Sequence, residues 1–197
     1  MVTTPDRSLE SHIPDPPVAT LLFSDKRLAP LWLIIRLYVG WQWLSAGWGK
    51  LTGAEPGWVG ATAGKAMTGF VQGALKATTG PHPSVQPYYG WFLQHLVLPN
   101  AGAWSYAITF GEILVGLGLI VGLFTGIAAF FGGLMNANYL MAGAVSTNPA
   151  LFILATWIVL AWKVAGYWGL DAFALPWLGV PGRAGKLFEK ETMPAKS

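Results

Sequence analysis

Glu112 is the single charged side chain between Ala101 and Val145, and from Ile113 to Trp162 there is no charge at all. An ionised carboxylate in oil is costly unless cations or hydrogen-bond donors face it; otherwise it takes up a proton. Its chemistry therefore depends on which groups share that oil. The candidates are Arg36 and Lys163, two cations inside other apolar runs, and Asn136, a neutral hydrogen-bonding side chain.

A helix rises ~1.5 Å per residue, so about 20 apolar residues cross a ~30 Å hydrocarbon core. Four runs meet that length: about 29–48, 103–123, 125–144 and 150–168. They predict an all-α protein, a four-helix transmembrane bundle. Pro30 suits a first helical turn, where its missing N–H costs nothing. Gly122 to Gly126 can turn tightly between the second and third spans, and Asn148-Pro149 opens the fourth. Arg36, Gly40, Trp43, Gly47 and Lys50 recur at i, i+4, i+7, i+11 and i+14, which puts them on one helical stripe. Lys50 is expected to end that span in the far interface. Gly116, one turn from Glu112, is expected to leave space beside the carboxylate. Gly118 and Gly122 permit close helix contact.

Counted from the end that bears both termini, Lys163 lies ~8 Å deep, Arg36 ~10 Å, and Glu112 and Asn136 ~16 Å. Arg36 or Lys163 could reach Glu112 in the bundle interior, or Arg36 could snorkel to the surface. Three roles remain open: a structural ion pair that fixes helix register, a polar site for a proton or a quinone, or a step on a substrate path.

Residues 52–100 form a long connection. Ala66, Met67, Phe70, Val71, Ala74 and Leu75 recur with helical period against Lys65, Thr68, Gln72 and Lys76. This predicts a short amphipathic helix in the interface. A second apolar piece, Tyr88 to Leu98, is expected to end at Pro99-Asn100. Together they read as a lid over one end of the bundle. Lys65, Lys76, His82 and His95 could gather an anion there, or simply form the polar face of an interfacial helix. Two histidines far apart, with no cysteine and no nearby carboxylate, do not make a metal site. His12 falls in the polar N-terminal tail, residues 1–28; the C-terminal tail is 179–197.

The composition agrees with a membrane protein: 53% hydrophobic, 11% charged, and eleven Trp in 197 residues. Without cysteine there is no disulfide, thiolate nucleophile or cysteine-held cluster within the chain. The net charge of +3 is scattered and points to topology, not to nucleic acid. Seven cations (Arg7, Lys26, Arg27, Arg183, Lys186, Lys190, Lys196) flank the end with both termini, against Lys50, Lys65 and Lys76 at the lid. That excess predicts cytoplasmic termini and an outward lid.

The first span, Arg36-Leu37-Tyr38-Val39-Gly40 with Ser45-Ala46-Gly47-Trp48-Gly49-Lys50-Leu51, resembles DoxX-type membrane proteins. So does the run from Gly111-Glu112 to Gly126. Met135-Asn136, Asn148-Pro149 and Gly169-Leu170-Asp171 continue the match over about 31–178. The long lid with Pro99-Asn100 is similar to the DoxD branch, the large subunit of thiosulfate:quinone oxidoreductase. The resemblance implies a four-helix protein of the bacterial cytoplasmic membrane. It implies electron transfer from thiosulfate to membrane quinone, giving tetrathionate, with a small partner subunit.

On that resemblance, Arg36 or Lys163 would hold a quinone carbonyl, Glu112 would relay a proton, and Asn136 would orient the head group. Trp43 could stack on the ring, and Lys50, Lys65 and His95 would draw in the anion. The chain has no flavin or haem motif, so redox work would need the quinone and a partner. A non-catalytic scaffold of a respiratory or redox-stress complex is the alternative; the expected partners are membrane lipid, quinone, and a small partner subunit or further copies in a homo-oligomer. Transport of a small acid or sulfur compound is a third.

Overall fold

The first apolar run folds as one helix because nothing within it breaks the ladder. In the computed structural model, which describes residues 15–180, this helix (α2) spans Ala29–Thr52 and stops at Gly53, whose φ of +82° suits glycine. It runs about one turn beyond the expected end. A short helix, α1 (Pro17–Ser24), precedes it, joined through Asp25 and Arg27, which form an exposed pair at 2.6 Å. Arg27 holds the Asp25 carboxyl below its ordinary range. The tail residues Arg7, His12, Arg183, Lys186, Lys190 and Lys196 lie outside the described residues.

The connection contains the expected amphipathic helix, α3 (Lys65–Lys76), which buries Met67, Val71 and Ala74 and leaves Lys65 exposed. The second apolar piece does not end at Pro99-Asn100. Helix α4 (Pro87–Phe92) passes through a π turn (Leu93–Val97) and a 3₁₀ turn (Leu98–Asn100) into α5 (Ala101–Val121). Pro99 cannot donate to the carbonyl one turn before it. The π and 3₁₀ turns shift the hydrogen-bond pattern around that missing donor and let the helix continue. Pro87–Val121 is thereby one 35-residue helix. It is the one among the described residues that is long and apolar enough, by length and composition, to cross a membrane.

Helix α6 (Thr125–Met141) follows the tight turn, and α7 (Asn148–Leu160) is apolar but shorter. The expected run to 168 is broken. It restarts as α8 (Trp162–Ala165), then turns back so that Leu170 and Asp171 donate to the carbonyls of Val121 and Gly122 at 3.1 and 2.7 Å. Helix α9 (Asp171–Trp177) closes this end. The described residues form no strand.

Two cores result. One is shared by α2, α5, α6, α7 and α8 through Trp32, Val39, Trp43, Leu119, Ala129 and Ile158. The other lies under the lid, built from Met67, Val71, Tyr89, Leu93 and Val97 against Ala101 and Ala142. The first depends on a close approach of α2 and α5. A Cβ on Gly116 would stand 2.7 Å from the Leu44 Cα, and one on Gly47 2.9 Å from the Ile113 backbone nitrogen. Gly116 thus makes room for the α2 backbone and not for a carboxylate. Gly118 packs on Ala128 of α6, while Gly122, at φ +68°, lies against the Arg36 guanidinium. The opposite faces of these helices expose large apolar side chains, among them Ile34, Leu114, Ile127, Phe130 and Ile153. A contiguous apolar exterior of this kind suits contact with lipid.

Candidate functional site between two buried ends

Glu112 sits midway along α5 on the face turned to α2 and α6, and is 2% exposed. Its partner is Lys50. The ammonium comes from the last turn of α2 and lies 2.8 Å from Oε2. The Tyr139 hydroxyl, from the last turn of α6, donates to Oε1 at 2.7 Å. Both carboxylate oxygens are therefore answered, which offsets a desolvation cost of several kcal/mol per buried ion.

The site continues in two directions. Toward the lid surface, Lys50 Nζ is 3.8 Å from Glu55, whose side chain is half exposed, and stands 4.9 Å over the Trp58 ring. Toward the interior, the Tyr139 ring stacks on Trp43 at 6.4 Å and takes the edge of Phe70 at 6.0 Å. Tyr139 also lines a cavity of about 250 Å³ between the lid and helices α5 and α6, with Phe70, Tyr89, Phe92, Trp104 and Met135. Five of its twelve lining residues are aromatic, and the others are apolar except Asn138. Tyr89, which donates to Asn138 at 3.0 Å, adds a second polar group to the wall.

Arg36 and Lys163 are not at this site. Arg36 is buried at the opposite end, where Nη2 donates to the Trp168 carbonyl at 3.2 Å. The acid that acts on it is Asp171. That carboxylate is spent on α6: it accepts from the Phe124 and Thr125 backbone nitrogens at 2.6 and 2.9 Å. Lys163 is exposed, its ammonium 5.6 Å from the centre of the Trp162 ring. Fourteen positions of α2 separate Arg36 from Lys50, ~21 Å along the axis. The expectation that Arg36 or Lys163 meets Glu112 fails because α2 and α5 are staggered. Gly47, not Arg36, is level with Glu112.

The other expected residues are dispersed. Lys50 is buried in the site instead of ending a span in the interface. Trp43 stacks on Tyr139 and does not reach the cavity. Asn136 is fully buried and donates to Asn148 Oδ1 at 2.8 Å, tying α6 to the start of α7. Lys65 and His95 stay on the lid surface. His95 stacks on Trp91 at 5.0 Å, its Nδ1 2.9 Å from the Trp91 carbonyl. Among the described residues, no three His, Cys, Asp or Glu side chains gather as metal ligands.

Tyr139, Glu55 and Asp171 join the functional ends without having been singled out for them. Tyr139 carried a usable signal: it stands one turn after Asn136 on a span that otherwise lacks hydroxyl donors near its end. Trp43 Nε1, Ser105 Oγ and Asn136 Oδ1 are buried without a hydrogen-bond partner.

What the arrangement can do chemically is bounded. A carboxylate, an ammonium and a phenol in contact can hold a proton among them and pass it on. An aromatic cavity beside the phenol can hold a flat apolar ring. At about 250 Å³ it has room for a ring and not for a long tail.

No curated protein and no solved structure matches this chain. The model of the DoxX family does match, over residues 31–145, a stretch that contains Lys50, Glu112 and Tyr139. The chain belongs to the DoxX family of membrane proteins.

Proposed function

We propose that this protein is the membrane subunit of a quinone-linked oxidoreductase, taking electrons from thiosulfate, which becomes tetrathionate. In this reading α2, α5, α6 and α7 are four spans of the bacterial cytoplasmic membrane. Both termini are cytoplasmic and the lid faces outward. The apolar outer faces of the four helices and the excess of cations around the termini support that topology.

One observation carries the site: the Tyr139 hydroxyl donates to Glu112 while its ring lines the aromatic cavity under the lid. The cavity suits a quinone ring, with Phe70, Phe92 and Trp104 as its walls. A quinone, when bound, accepts two electrons and two protons. The residues handle the protons. Tyr139 and Glu112 hold one at the cavity wall, and Lys50 balances the carboxylate when it has none. Glu55 gives the cluster an outlet to water, since its side chain is half exposed and its carboxylate lies 3.8 Å from the Lys50 ammonium. Electrons arrive from thiosulfate through a partner subunit, since the chain lacks cysteine and any flavin or haem motif.

The test is extraction of quinone from purified protein, followed by thiosulfate-dependent quinone reduction in membranes. Bound quinone and a rate abolished by Glu112→Gln support the reading. A stable partner that co-purifies without any quinone-dependent activity would replace it with the scaffold.

A further inference from the structure

The end opposite Glu112 carries a second cavity, more polar than the first. It measures about 740 Å³ and is lined by Ser24, Lys26, Lys163, Tyr167 and Asp171, with apolar residues of α8 and α9. Lys26 Nζ lies 4.9 Å over the Tyr167 ring, and Lys163 Nζ 5.6 Å from the Trp162 ring. Among the described residues, neither ammonium has a carboxylate within ion-pair distance. Asp171 lines the cavity but offers little repulsion. It is 2% exposed, and both its oxygens already accept from the α6 backbone. The cavity is therefore cationic on balance, with hydroxyls from Ser24 and Tyr167 as further donors.

Its depth is set by α1. This helix, PVATLLFS, is apolar yet buries no residue; Val18, Leu21 and Leu22 are all exposed. It is anchored at its far end, where the Trp32 indole donates to the Leu22 carbonyl at 2.8 Å. Of its side chains Phe23 packs against the core, 6.0 Å from the Trp32 ring, and an apolar helix that leaves its other large side chains bare lies in the membrane surface. Trp162, Tyr167 and Trp168 fall within seven residues of the chain at this end, as interfacial aromatics do. Two cations with no acid partner, at headgroup depth and beside an immersed helix, match a phosphate with acyl chains attached.

We propose that the cavity between α1, α8 and α9 binds the phosphate of an anionic phospholipid, with Lys26 and Lys163 as its cationic contacts. The inference is independent of the quinone reading. The lipid would hold α1 against α8 and so brace the end where Arg36 and Asp171 are buried.

The experiment uses the full chain in nanodiscs of phosphatidylcholine with phosphatidylglycerol, extracted into detergent and weighed by native mass spectrometry. The wild type should retain phosphatidylglycerol over phosphatidylcholine. The double variant Lys26→Gln/Lys163→Gln should lose roughly 10- to 30-fold of that preference, the attraction of two lysines at a membrane surface. Lys65→Gln, on the lid, should change nothing. Both targets are exposed, so an unchanged melting profile without lipid confirms the variant folds. Equal retention of the two lipids by the wild type, or an unchanged preference in the double variant, overturns the proposal. Stabilisation by inorganic phosphate alone, lost in the double variant and without any retained phosphatidylglycerol, also overturns it and assigns the cavity to a soluble oxyanion.

Discussion

The Lys50 ammonium lies 2.8 Å from the Glu112 carboxylate, across sixty-two positions of sequence and two helices. Neither side chain reaches bulk water, so each is the reason the other can stay charged. Removing one partner leaves a buried, uncompensated ion, which costs ~3–5 kcal/mol; removing both can cost much less. Lys50→Met and Glu112→Gln should each lower the thermal midpoint in detergent by more than the double variant does. If the single losses simply add, the pair is not coupled and the buried contact is incorrect.

Much of this was legible before any coordinates. The spacing of Arg36, Gly40, Trp43, Gly47 and Lys50 identifies a face of α2, and all five are buried. The lid helix Lys65–Lys76 follows from its period. The stagger between helices is not in the sequence. Depths counted from a common plane put Arg36 nearest Glu112, whereas packing at Gly47 and Gly116 slides α2 along α5 until Lys50 reaches it. Pro99 reads as a terminator, because sequence gives no sign of the π turn that accommodates it. Tyr139 is legible only through its spacing from Asn136, because its type argues the other way. Tyrosines near span ends are usually interface anchors, whereas this one turns inward to Glu112.

Tyr139→Phe separates the phenol's hydrogen bond from its ring. The stacking on Trp43 and the edge contact with Phe70 survive the change, while the donor to Glu112 is lost. A hydrogen bond to a charged group is worth ~1.5–3 kcal/mol, so the fold should weaken by no more than that. Quinone reduction should fall ~100-fold or more, the scale of a lost proton-transfer group. Stopped-flow quinone reduction in wild-type and variant membranes makes the comparison. An unchanged rate removes Tyr139 from the chemistry and leaves it a packing residue.

The α2–α5 contact predicts an asymmetry between two glycines on one helix. Gly116→Ala would drive a methyl into the Leu44 backbone at 2.7 Å, where nothing flexible can yield. Overpacking of this kind costs ~1–3 kcal/mol. Gly118→Ala meets the Ala128 side chain at 3.1 Å, where α6 can shift slightly, and the Leu123 carbonyl at 3.4 Å, an ordinary contact. Thermal unfolding followed by tryptophan fluorescence should show the first variant clearly less stable than the second. The same shift would move Lys50 relative to Glu112, so Gly116→Ala should also impair any activity of that pair.

Arg36 gives the sharpest contrast with the expectation drawn from sequence. The residue is 1% exposed and its guanidinium is bonded to the Trp168 carbonyl, with Nη1 close to the Gly122 and Gly169 backbone. The turn it braces is the one that brings Asp171 to the start of α6. Everything it touches is structural, and it lies ~21 Å along α2 from Lys50. Arg36→Met should therefore destabilise the protein by ~1–3 kcal/mol, the cost of leaving a part-buried acceptor without its donor. Asp171→Ala should cost ~1–2 kcal/mol through the lost cap on α6. Because Arg36 and Asp171 share one turn, the double variant should cost less than the sum. Quinone turnover per folded molecule should be untouched in all three. A raised KM for quinone in Arg36→Met, with stability unchanged, would return the guanidinium to the redox site and move the proposed quinone to the other end of the bundle.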